Sequence, residues 1–122
     1  MCNIRVYKIG EKDSRPWGEW ETIDVTENYV VKRIIVFPNG KLSLQKHNHR
    51  SEHWIITKGE GFVTLNTNTK KYVTNEHVFI PVGTIHRIEN RSETPLVFIE
   101  VQTGEILDEN DIIRLEDIYN RI

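Results

Sequence analysis

The sequence predicts an all-β protein, a sandwich or barrel built as a single domain over residues 1–122. Three observations carry that expectation. Short runs rich in β-branched and aromatic residues recur with turn residues between them, at intervals of roughly 8–12 residues. No long segment shows helical periodicity, which excludes alternating βα units. The length, 122 residues, is about one domain's worth of chain.

The first 28 residues are the least regular, an N-terminal arm and edge strands with Arg15-Pro16-Trp17-Gly18 as the one sharp feature. Residues 29–37, YVVKRIIVF, read as a strand that Pro38-Asn39-Gly40 ends as a turn. Residues 41–47 alternate, so Ser43, Gln45, His47 and then His49 share one face, with Leu42 and Leu44 on the other. Residues 53–57, HWIIT, form the next strand. Residues 61–66 and 71–74 flank a polar turn at Thr67–Lys70, a hairpin signal. Residues 77–80 run into Pro81-Val82-Gly83, and 84–90 and 96–102 are the last clear strands. About eight strands result, with a barrel core over 29–104. The tail, 105–122, is acidic with scattered apolar residues and reads as a short helix or an irregular arm.

Charge and composition remove whole classes of function. Lys and Arg number 16 against 18 Asp and Glu, so the chain lacks the basic excess that nucleic acid or an acidic membrane demands. No apolar run approaches the ~20 residues of a membrane span. The start, MCNIRVYKIGEKD, is too charged for a secretory signal. Cys2 is the only cysteine and has no partner for an internal disulfide, which fits a reducing, cytoplasmic setting.

Four of the five histidines fall in two clusters, QKHNHRSEHW at 45–54 and PVGTIHRIEN at 81–90. Gln45 and His47 point to one side of their strand, and a turn brings Glu52 back at the start of the next. His86 follows a Pro-x-Gly turn that aims it inward. Imidazole, carboxylate and amide oxygen make a borderline-hard donor set, suited to one divalent ion such as Zn, Co, Mn, Ni or Fe.

These residues resemble the two sequence motifs of the cupin family. The first maps onto Asn39, Gln45, His47, Glu52 and Gly59, and the second onto Asn75, Pro81, Gly83, His86 and Asn90, with every spacing kept. Asn replaces the leading Gly of both motifs; Asn tolerates the left-handed backbone better than other side chains. Gln45 replaces a metal-binding His. A second register takes His47 and His49 as the His-x-His pair, but only the Gln45 register satisfies Asn39 and Gly59 together. The string from VKRIIVFPNG to IITKGEG, then IPVGTIHRIEN, PLVFIEVQTGEIL and DIIRLEDIYNR, resembles the type II mannose-6-phosphate isomerase domain over about residues 14–121. In that family the domain usually follows a mannose-1-phosphate guanylyltransferase. Neither room nor a Gly-rich nucleotide loop exists for that half here, so the resemblance implies a stand-alone isomerase domain.

The resemblance implies a cupin jelly-roll barrel and a metal-dependent interconversion of mannose 6-phosphate and fructose 6-phosphate. The alternatives are an isomerase or epimerase for another phosphorylated or nucleotide-linked sugar, or a non-catalytic sugar-binding module. Gln45, His47, Glu52 and His86 would hold the metal. Proton-transfer candidates are His49, Lys32 and Glu100. Lys32 sits inside an apolar run, and Glu100 shares a face with Gln102 that a polar barrel interior would take up. Arg15, Arg50 and Arg87 are candidates for the phosphate, since a guanidinium binds it bidentately. Alternation turns Arg87 away from His86. His77 reads as an exposed structural residue, His53 as a surface residue or one just behind the site, and Trp17, Trp20 and Trp54 as core or interface packing. Large apolar outer faces around a small core suggest a homodimer.

Overall fold

The computed structural model describes residues 6–119. Eleven strands are present among them. They are β1 (Lys12–Arg15), β2 (Gly18–Val25), β3 (Tyr29–Val36), β4 (Leu44–Lys46), β5 (Arg50–Lys58), β6 (Glu60–Leu65), β7 (Asn68–Val73), β8 (His77–Ile80), β9 (His86–Glu89), β10 (Leu96–Gly104) and β11 (Ile113–Glu116). All pairings are antiparallel. One sheet has the order β1-β2-β3-β10-β5-β8 and the other β11-β4-β9-β6-β7. Non-consecutive neighbours such as β3-β10-β5 mark a jelly roll rather than a meander.

Alternation explains the interior. Along β3, Val30, Lys32, Ile34 and Val36 turn inward, and along β10 Leu96, Phe98, Glu100 and Gln102 do. β5 contributes Arg50, Glu52, Trp54 and Ile56. The register sets Glu100 opposite Lys32 on one side and Trp54 on the other, with Phe98 opposite Ile34 and Ile56. The inner face of this sheet is therefore apolar at one end and polar at the other. The apolar end packs against Val63, Ile88 and Leu42 from the second sheet. Each fully buried aliphatic or aromatic side chain there contributes about 1.5–3 kcal/mol.

Several expectations need correction. β2 is a regular strand inside the first sheet, with Trp20 and Thr22 buried, where the sequence suggested an arm and edge strands. The described part of the tail is not helical: after an irregular stretch, β11 pairs with β4 and extends the second sheet. The hairpin turn lies at Asn66-Thr67, because Leu65 already pairs with Asn68. Asn66 takes φ 54° to make that turn. Asn39 and Asn75 adopt φ 65° and 77°, the left-handed backbone expected of residues standing where the motif has Gly. Three tryptophans, Trp17, Trp20 and Trp54, are buried in the core as expected.

Candidate metal centre

Three chain segments converge at the polar end. β5 carries Glu52 inward, β9 carries His86, and His47 lies just beyond β4. Gln45 of β4 pairs with His86, which binds the two motifs into one sheet. Potential ligand atoms of His47, Glu52 and His86 all lie within 4.8 Å of one another, and all three residues are buried. The imidazole rings are 5.0 Å apart, and His47 Nε2 stands 3.1 Å from Glu52 Oε2.

Both ring tautomers are fixed by backbone. His47 Nδ1 donates to the Asp111 carbonyl at 2.6 Å, and His86 Nδ1 donates to the Thr84 carbonyl at 2.8 Å. A carbonyl only accepts, so each Nδ1 carries the hydrogen and each Nε2 keeps its lone pair. Burial pushes His47 down to about 4, and burial also lowers His86. Burial alone would raise Glu52, but Arg50 and His47 outweigh it and hold the carboxyl well below its usual range. Two acceptors, His47 Nε2 and Glu52 Oε2, thus face one another, an arrangement that calls for a cation. Arg50 supplies part of the need: its Nε donates to Glu52 Oε2 at 2.9 Å, and its Nη2 approaches His47 Nε2 at 3.5 Å. Two imidazoles and a carboxylate fit a divalent ion of the Zn, Fe or Mn kind.

The cluster opens on a cavity of about 110 Å³. Lys32, Glu100, Gln45, Arg15 and Arg50 line it, and so does Arg87, which alternation had turned away. Gln45 donates from Nε2 to Ser43 Oγ at 2.9 Å, so its carbonyl oxygen is its remaining polar end. Glu100 accepts from Trp54 Nε1 at 3.2 Å and from Gln102 Nε2 at 2.8 Å. Burial, then the Glu52 charge, pushes its carboxyl up to about 8. Burial brings Lys32 down to about 8, against the pull of Glu100. The Lys32 ammonium sits 4.0 Å from the Trp20 ring centre and 4.4 Å from that of Tyr7, a two-sided cation–π contact.

The arginines differ. Arg50 is buried, bound to Glu52, to Tyr7 Oη at 3.2 Å and to the Asp108 carbonyl at 3.1 Å. Arg15 pairs with Asp13 and with Glu109 at 3.2 Å. Arg87 reaches the cavity in spite of its parity. Its Nε donates to the Leu42 carbonyl and its Nη1 to Glu116, while its Nη2 is buried with no hydrogen-bond partner among the described residues.

His49 is not brought to the cavity; it is exposed, and its backbone N–H donates to Asp111. His53 and His77 are exposed on the outer face, as expected. Sequence reasoning missed Tyr7, Glu109 and Arg114, which also line the cavity, and Asp111 behind His47. Arg114 and Asp111 lay inside the quoted string DIIRLEDIYNR, and that match was the available signal. Tyr7 had none.

Comparison with known proteins agrees with this geometry. The chain is 46% identical over 108 residues to the mannose-1-phosphate guanylyltransferase ManC of Salmonella typhimurium, covering 88% of this chain but 22% of that protein. The chain thus spans under a quarter of that relative's length. Among solved structures, the cupin domain of Schizosaccharomyces pombe Cnp3 superposes with a TM-score of 0.69 at 14% identity, over 75% of this chain and 68% of that one. Bacillus subtilis oxalate decarboxylase, described with Mn(II) centres, superposes with a TM-score of 0.75 at 20% identity, over 86% of this chain and 30% of that one. The fold is therefore that of a cupin. Residues 3–117 match the family described as mannose-6-phosphate isomerase C-terminal, and the chain belongs to that family.

Proposed function

We propose that this protein is a metal-dependent isomerase that interconverts mannose 6-phosphate and fructose 6-phosphate. One observation carries the reading. A His-Glu-His donor set presents Glu52 and His86 to a cavity that a buried Glu–Lys pair and several arginines also line. Aldose–ketose exchange needs those three things: an electrophile, a proton carrier and an anion anchor.

His47, Glu52 and His86 would hold the ion, with the Gln45 amide oxygen as a fourth donor. The ion would supply Lewis acidity to the sugar oxygens when bound. Proton transfer falls to Lys32 and Glu100, which face each other across the β3–β10 register. Removal of the C2 proton by the neutral amine of Lys32 leaves its electron pair in a C1=C2 bond. The carboxylic acid of Glu100 protonates the C1 oxygen, giving a cis-enediol. Return of a proton to C1, with loss of the C2 hydroxyl proton, completes the ketose and restores the pair. Both groups lie near 8, within reach of neutral pH. His49, exposed and away from the cavity, has no part in this step. For the phosphate, Arg87 is the strongest anchor because its Nη2 is a buried donor still to be satisfied. Arg15 and Arg114 line the same cavity, whereas Arg50 is committed to Glu52.

The test is turnover of the purified chain on a panel of hexose phosphates, with each of Zn, Co, Mn, Ni and Fe supplied in turn. Interconversion of the mannose and fructose 6-phosphates, lost on chelation, is the expected result. Turnover of a different sugar phosphate alone, or of none, overturns the assignment.

We also propose a homodimer formed through the outer face of the first sheet. Ile55 and Phe79 there are 45% and 47% exposed beside Ile99 and Val101. Light scattering of the purified chain at monomer mass would overturn it.

A further inference from the structure

The two histidines of the metal centre are oriented by very different means. His86 donates to Thr84, two residues away on its own turn. His47 donates to Asp111, 64 residues further along the chain, on the tail that leads into β11. Asp111 does more than offer that carbonyl. Its Oδ1 accepts the backbone N–H of Asn48 at 2.9 Å, and its Oδ2 accepts that of His49 at 2.9 Å. Residues 47–49 lie between β4 and β5, where no strand ladder takes up their backbone groups. One carboxylate thus grips two successive amides with charge-assisted bonds, and its own main chain closes on the imidazole beside them.

We propose that Asp111 is the positioning residue of the metal centre. Its side chain latches the tail to the 47–49 segment, and the latch sets its carbonyl where it fixes His47 as the Nδ1–H tautomer. Without the latch, the 47–49 segment loses an anchor for two amides, and the carbonyl is free to leave His47 Nδ1. The ring can then carry its hydrogen on Nε2, the nitrogen that faces Glu52, and in that form Nε2 cannot ligate. Partners of this kind behind a ligand typically change metal affinity by about 10–100-fold. The inference rests on the metal-centre reading but not on the sugar.

The experiment uses the full chain, Co(II) titration followed by absorbance, and nitrogen NMR of the histidine rings in the metal-free protein. Asp111→Ala is expected to bind Co(II) about 10–100-fold more weakly, with His47 in a mixture of tautomers and His86 unchanged. Asp111→Asn keeps one acceptor oxygen but turns an NH₂ toward the second amide, so it falls between the two. Tyr119→Phe is the control: it removes the hydroxyl that accepts from Lys41 N at 3.3 Å, elsewhere on the tail. It leaves Co(II) affinity and both tautomers at wild-type values. Wild-type affinity and a wild-type His47 tautomer in Asp111→Ala overturn the proposal. So does an equal loss in Tyr119→Phe, which would reduce Asp111 to general support of the tail. If Asp111→Ala does not fold, Asp111→Asn decides: values equal to wild type overturn the latch, intermediate values support it. If the wild type binds no Co(II), the tautomer shift alone decides. A protein that passes these tests without isomerising a sugar keeps the latch and loses only the proposed substrate.

Discussion

The two ends of the barrel interior are built from the same strands and the same alternation, yet they hold opposite chemistry. At one end β3, β5 and β10 supply Ile34, Val36, Ile56, Leu96 and Phe98, all 5% exposed or less. At the other they supply Lys32, Arg50, Glu52, Glu100 and Gln102, all 7% exposed or less. Burial stabilises the first set and penalises the second. Arg50 and Glu52 offset the penalty by pairing; Glu100 and Lys32 offset it by shifting toward their neutral forms. One end of the barrel makes the fold, and the other uses the rigidity so gained to hold groups that water would otherwise level.

Breaking the apolar end should produce the largest effect. Phe98→Ala is expected to lose about 3–5 kcal/mol in urea unfolding, a large share of a small domain's stability. His86→Ala, at the polar end, should instead abolish tight metal binding while the β circular-dichroism signal persists. Equal destabilisation by both would mean that the two ends are not separate in role.

Next in size is the choice of the fourth ligand. Gln45→Leu should lose metal, and His49→Ala should retain a full equivalent, since His49 is exposed and outside the cavity. The reverse pattern in a metal-stoichiometry assay would move the motif by one step along the strand.

The smallest effect is a slope with pH. The Glu100 carboxyl is raised from 4.5 to about 8 by burial and by Glu52. A raised folded value gives stability that is whole below the unfolded value and is lost as pH climbs toward 8. Glu100→Gln has no proton to surrender, so its stability relative to wild type should grow between pH 5 and pH 8 in urea titrations. A flat difference would show that Glu100 is ionised throughout.

Much of this comparison could be read from the sequence. Alternation placed Lys32 and Glu100 indoors, and the motif spacing selected His47, Glu52 and His86. It failed where its premise failed. His49 has the parity of His47, but residues 47–49 lie outside any strand, so parity says nothing about them. Arg87 has the parity of an outward residue, yet parity fixes Cβ and not the end of a long side chain. β11 is four residues long with no buried residue, so it carries no alternation; only its pairing with β4 defines it. Asp111 lay inside a matched string, but its contact with His47 is made by a main-chain carbonyl, a group that every residue has, so the match did not single out its place behind the imidazole.

Burial of the histidines would also set when an ion could be taken up. An ordinary imidazole site must expel protons to bind metal and begins to lose affinity below pH ~6.5. Here His47 gives up its proton only near 4, and Glu52 is ionised lower still than a usual carboxylate. Loading at neutral pH would therefore release no protons from these two groups.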